Sequence, residues 1–191
     1  MSDTLVPQLI LAGSTLTAAI LGYVLAGMNE ARRDSRAAAR EKANRAEERH
    51  AAALDAQHAF QLETLLALQD AIQVMARLNG RLMYLDHINA REGNYNSLLP
   101  EDLNSDLHAN GVEVIRLCNR ILDADLRERI STFEAQCAST TFLGKAYEGV
   151  HGIELESLAL REEAKLSEAY KVVMEHLGDS LRTELARLPD T

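Results

Sequence analysis

From Leu9 to Met28 the chain carries twenty consecutive residues without a charge, and from Leu54 onward apolar positions recur at threes and fours between polar ones. The first pattern has the length of a bilayer span, since about 1.5 Å per residue gives a helix of roughly 30 Å. The second is the signature of amphipathic helices with one buried face. Between them, residues 29–50 are polar on all sides, Ala-rich and free of Pro and Gly, which predicts a helix with no face to bury.

The periodic part divides at its breakers. Leu54, Phe60, Leu62, Leu65, Leu66, Leu68, Ile72, Met75, Leu78, Leu82, Met83 and Leu85 predict a helix over about 51–91, closed by Gly93, Asn94, Asn96 and Ser97. Tyr95, Leu98 and Leu99 are expected to fold back from that loop onto the bundle. Pro100 before Glu101 and Asp102 marks the next start, with proline in the first turn and acids facing the positive end of the helix dipole. The stripe Leu103, Leu107, Gly111, Val114, Cys118, Ile121 stays in phase across its glycine and predicts one helix over 100–122. Asp123-Ala124-Asp125 reads as a turn, Asp125 with Glu128 has capping-box spacing, and Leu126, Ile130, Phe133 and Cys137 predict a helix over 125–142. Gly144, Gly149 and Gly152 mark a loop. Leu155, Leu158, Leu166, Tyr170, Val173, Leu177, Leu181, Leu185 and Leu188 predict a last helix over 153–187.

The expected fold is all-α: a transmembrane helix within residues 1–28, a basic helical stalk over 29–50, and an antiparallel bundle of about four helices over 51–191. A heptad through Ala39, Ala43, Ala46, His50, Ala53, Gln57 and Phe60 offers a coiled coil, but buries so little area that a solvated stalk is the preferred reading. A cleaved signal peptide ending near Val24 and Ala26 is the rival to the anchor; Asp3, with no Lys or Arg before the apolar run, argues against it.

Charge then orients the anchor. No cation precedes it, while Arg32, Arg33, Arg36, Arg40, Lys42, Arg45 and Arg49 follow closely. The positive-inside rule places the N-terminus outside and the rest in the cytoplasm, making this an inner-membrane, single-pass protein with Arg32, Arg33, Arg36 and Arg40 at the headgroups. Ser14, Ala18, Gly22 and Ala26 recur at every fourth position and offer a packing face for a parallel homo-oligomer.

The chain is acidic, with formal net charge −9, and 23 of its 29 acidic but only 13 of its 20 basic residues lie beyond residue 50. That balance argues against a nucleic-acid partner, because phosphate neutralisation supplies most of that affinity. Cys118 and Cys137 are too few for a zinc site or disulfide scaffold and fall on apolar stripes, so free, packed thiols are expected. Glu47 with His50 and Glu148 with His151 have the Glu-x-x-His spacing of di-iron bundles, but one lies in the stalk and the other in a loop. The charge run Glu162, Glu163, Lys165, Glu168 reads as a solvated face, with a dock for a basic partner as its alternative. No phosphate loop, nucleophile elbow or HExxH is present. No catalytic residue, metal ligand or cofactor is expected.

The run Phe60-Gln61-Leu62-Glu63-Thr64-Leu65-Leu66-Ala67-Leu68-Gln69-Asp70-Ala71 resembles a stretch in uncharacterised single-pass, membrane-anchored helical proteins of high-GC Gram-positive bacteria. The resemblance implies the same plan of anchor, Arg- and Ala-rich stalk and helical module, and implies no activity. The plan is also similar to that of the membrane-anchored stalk subunit of rotary ATP synthases, from which the Gly-rich breaks after residue 92 depart. The expected function is a non-catalytic scaffold that recruits a cytoplasmic protein partner to the bilayer. The alternative is a single-span sensor relaying ligand or membrane state through the stalk.

Overall fold

Every regular element among the described residues is a helix: α1 Leu5–Arg91, α2 Glu101–Cys118, α3 Ala124–Thr140, α4 Leu143–Ala146 and α5 Gly152–Ala186. This computed structural model describes residues 5–95 and 97–187, and the side chains of 22–23, 27–30, 32–95 and 97–187. The chain divides into two units, Met1–Leu54 and Asp55–Thr191.

The first unit is helical from Leu5. Its described side chains are exposed throughout, as a sequence polar on every side requires. Glu41 and Arg45, one turn apart, form an ion pair. Among the described residues no helix is long and apolar enough to cross a membrane. The apolar run Leu9–Met28 carries most of its side chains, including those of Ser14, Ala18 and Ala26, outside the described ones.

The second unit is a packed bundle. In α1 the residues Leu65, Leu68, Ile72, Met75, Leu82 and Met83 are buried at the intervals that put them on one face. All of these but Leu82 share one apolar core with Val114 and Leu117 of α2, Leu126, Ile130, Phe133 and Cys137 of α3, and Leu166, Val173 and Leu177 of α5. The long helices alternate in direction. Gln61 reaches Arg120 while Asn110 reaches Ala71, so α1 and α2 are antiparallel. Phe133 packs on Tyr170 while Asp123 meets Ser180, so α3 and α5 are too. His58 pairs with Glu184 and His87 with Glu156, which sets α1 against α5 in the same sense. The order is thus up-down-up-down, each connection joining neighbouring helix ends.

Local chemistry places the boundaries. α1 ends where Gly93, at φ 78°, takes the left-handed conformation that terminates helices. α2 begins after Pro100 and continues through Gly111, as its unbroken stripe requires. It stops at Cys118, short of residue 122, and Ile121 is buried from the turn that follows. The cap of α3 is Asp123, whose carboxylate accepts from Leu126 N at 3.1 Å. The spacing of Asp125 and Glu128 had pointed two residues later, because a capping-box pattern does not say which of two nearby acids leaves the helix. The segment read as a loop around Gly144 holds a single helical turn, α4, with Leu143 and Tyr147 turned into the core. In the loop between α1 and α2, Tyr95 packs against the core while Leu98 stays exposed.

Candidate functional site

Three groups of polar side chains are organised by the bundle, and the first works as latches. Gln61 is buried on α1 and spans the α2–α3 turn, donating to Arg120 O at 2.9 Å and accepting from Leu122 N at 3.3 Å. Asn79 donates to Met75 O at 2.8 Å, and its Oδ1 lies 2.8 Å from the hydroxyl of Thr140 on α3, which also lies 2.7 Å from Cys137 O. Both members are buried, so the Asn79 oxygen depends on the Thr140 hydroxyl of the other helix or is left a costly unpaired group. Stripe counting passes over such residues, since a polar side chain at a core position looks the same as a break in the stripe.

The second group lies where the end of α1 meets α4 and the start of α5. Asp86 accepts a hydrogen bond from the backbone N–H of Gly144, and burial raises its pKa above the ordinary 3.8 despite that bond. Gly144 is the residue this approach demands: a Cβ there would sit 3.1 Å from Tyr95 O and 3.5 Å from Asp86 Oδ1. Tyr147 is fully buried, its hydroxyl has no hydrogen-bond partner, and burial with the nearby Asp86 and Glu162 carboxylates pushes its pKa up to about 12. His87 stacks obliquely on Tyr147 with ring centroids 6.3 Å apart. Its Nε2 lies 3.2 Å from Glu156 Oε2, within ion-pair distance but misaligned for a hydrogen bond. Arg91 approaches the other Glu156 oxygen at 3.6 Å.

The two cysteines are free. Cys137 is buried, and burial with Glu134 pushes its thiol up to about 12; Cys118 is half-buried and shifted in the same direction, again first by burial. Glu134 itself is raised by burial. These shifts all favour the neutral forms and so oppose use of the thiols or the phenol as nucleophiles. Among the described residues no three His, Cys, Asp or Glu side chains converge to hold a metal ion.

The third group is a groove of about 700 Å³ between α3 and α5. Arg129, Thr132 and Gln136, at i, i+3 and i+7, form its α3 side. On α5, Arg161, Lys165 and Glu168 stand along it, with Ala164, Ala169 and Val172 between. Lys165 is held by Glu162 at 2.7 Å, whereas Arg129 and Arg161 form no ion pair with any described residue. The groove is thus cationic on an acidic chain. The sequence reading of Glu162, Glu163, Lys165 and Glu168 as a solvated face or a dock for a basic partner did not include the arginines that the neighbouring helix and turn bring beside them. One signal existed, the polar stripe Arg129, Thr132, Gln136, but nothing along the chain tells which part of α5 lies next to it.

The residues singled out from the sequence fall in the first unit. Arg32, Arg33, Arg36 and Arg40 are exposed on α1, with 32, 36 and 40 a turn apart. Gly22 is exposed, with nothing within 4 Å of where a Cβ would stand; Ser14, Ala18 and Ala26 lie outside the described side chains. His151 precedes α5 without a side-chain bond to it and its Nδ1 lies 3.4 Å from the Tyr95 hydroxyl, and His50 is exposed in the first unit. No protein-family model, curated protein or solved structure matches this chain.

Proposed function

We propose that the chain is a non-catalytic, single-pass membrane protein whose helical module recruits or scaffolds a partner at the cytoplasmic face of the inner membrane, as a parallel homo-oligomer. The observation that carries this reading is the order of chemistry along the chain: twenty uncharged residues, Leu9–Met28, followed at once by Arg32, Arg33, Arg36 and Arg40, and then by an acidic helical module. An uncharged run of that length is stabilised by hydrocarbon, and the exposed arginines after it favour the anionic inner leaflet. The module supports the recruiting role, because Gln61, Asn79 and Thr140 are spent on joining helices while the α3/α5 groove remains open at the surface.

The test is fractionation of the full chain carrying a C-terminal epitope. The wild-type protein stays with the membranes through an alkaline carbonate wash, and the double substitution Leu16→Arg, Ile20→Arg releases it, since arginine at the centre of a span costs about 2.5 kcal/mol or more each. The epitope is protected from protease in intact spheroplasts and cut in lysed ones. Wild-type protein in the wash, or an epitope cut from outside, overturns the anchor or its orientation. For the oligomer, Gly22→Leu abolishes association in a membrane two-hybrid assay; unchanged association removes the packing face.

A further inference from the structure

We infer that the groove between α3 and α5 is the docking site for an acidic amphipathic helix of a partner protein, an assignment that rests on the recruiting reading above and supplies the partner's chemistry. Both walls are helical stripes, and the residues between them are Ala164, Ala169 and Val172. Side chains this small let a third helix approach closely and bury an apolar face, as in other helix-in-groove complexes.

Charge sets the occupant. Phe133 lies against Tyr170 and Asp123 against Ser180, so Arg129, one turn before Phe133, stands near the Val172 end of the groove. Arg161 stands at the opposite end. The stretch from Arg161 to Val172 spans about 16 Å at roughly 1.5 Å per residue, or about three helical turns. Two guanidinium groups, neither ion-paired with any described residue, thus bracket the groove, and a carboxylate near each end of the incoming helix would be received by them. Lys165 and Glu168 lie between, one turn apart and of opposite sign, and so leave the end charges to set the preference. The complementary ligand is therefore a helix with acids about eleven residues apart flanking its apolar face. A basic helix meets Arg129, Arg161 and Lys165.

The experiment uses detergent-solubilised full chain, immobilised by its C-terminus, and a displayed library of helical peptides about eighteen residues long, enough to exceed the groove. The enriched sequences carry Asp or Glu at two positions about three turns apart with apolar residues between. A synthetic peptide of the enriched type binds the wild type and loses affinity by about tenfold or more in Arg129→Glu, Arg161→Glu, and less steeply in Arg129→Ala, Arg161→Ala. The control Arg77→Glu, Lys145→Glu, exposed on α1 and α4, changes net charge equally away from the groove and leaves Kd unaltered. An unchanged thermal midpoint certifies each variant, as expected for exposed positions. Enrichment without acidic bias, or equal loss in the control, overturns the groove assignment and leaves the recruiting reading standing. No enriched peptide at all likewise overturns the groove assignment alone.

Discussion

At the scale of single residues, the decisive quantity is whether a buried polar atom has a partner. Asp86 has one, the Gly144 N–H, yet burial still holds its carboxyl above 3.8, so the folded protein binds a proton more tightly than the unfolded chain. Its contribution to stability is therefore present below the unfolded pKa and is lost as pH rises through the folded one. Asp86→Asn keeps an oxygen for Gly144 and removes the ionisation. Its thermal midpoint exceeds the wild type's at pH 7, and the difference disappears below about pH 3.8, read by circular dichroism across a pH series. Thr140 is the opposite case, a satisfied pair. Thr140→Val strands the Asn79 oxygen in the core and destabilises by about 1–3 kcal/mol in urea melts. Adding Asn79→Leu to that variant costs less than the two single losses together, because the stranded group is then gone.

At the scale of elements, helices came directly from periodicity and their ends from particular side chains. The stripe through Gly111 predicted an unbroken α2, and the structure has it, because a glycine inside a helix costs only about 1 kcal/mol against a stripe that buries Leu103, Val114 and Leu117. The α2–α3 turn was less legible. Asp123 and Asp125 are chemically equivalent as caps, and the choice of Asp123 is coupled to contacts the sequence does not display, with Ser180 Oγ 3.1 Å from its second oxygen. Asp123→Ala removes the cap and lowers stability by about 1 kcal/mol, measured as a shift of the urea midpoint at constant slope. The α4 turn was illegible for a different reason. Its four residues are too few to show a period, and what holds it in place is Leu143 and Tyr147 dropping into a core built by distant segments.

At the scale of the molecule, the described core runs from Gln61 to Leu181 and lies wholly in the second unit. A truncated chain beginning at residue 55 should therefore melt with one cooperative transition at the midpoint of the same unit in the full chain, followed by circular dichroism in matching detergent. A midpoint lowered by several degrees would show that residues before Asp55 contribute to the fold. The two His–Glu pairs, His58 with Glu184 and His87 with Glu156, mark opposite ends of the α1/α5 contact. His58 to His87 and Glu156 to Glu184 span nearly equal lengths of helix, so one register satisfies both.

What the sequence determined by itself is whatever depends on neighbours along the chain: helix from the threes and fours, breaks from clustered Gly, Asn and Pro, the uncharged run Leu9–Met28 and the arginines after it. Those are local properties, and a helix repeats its geometry every turn. Tertiary structure alone decided which faces became neighbours. It joined Gln61 to the Arg120–Leu122 turn and Asn79 to Thr140, buried Tyr147 beside Asp86, and set Arg129 in the same groove as Arg161. Such pairings depend on direction and register between helices far apart in the chain, which are settled by the packing of the whole core.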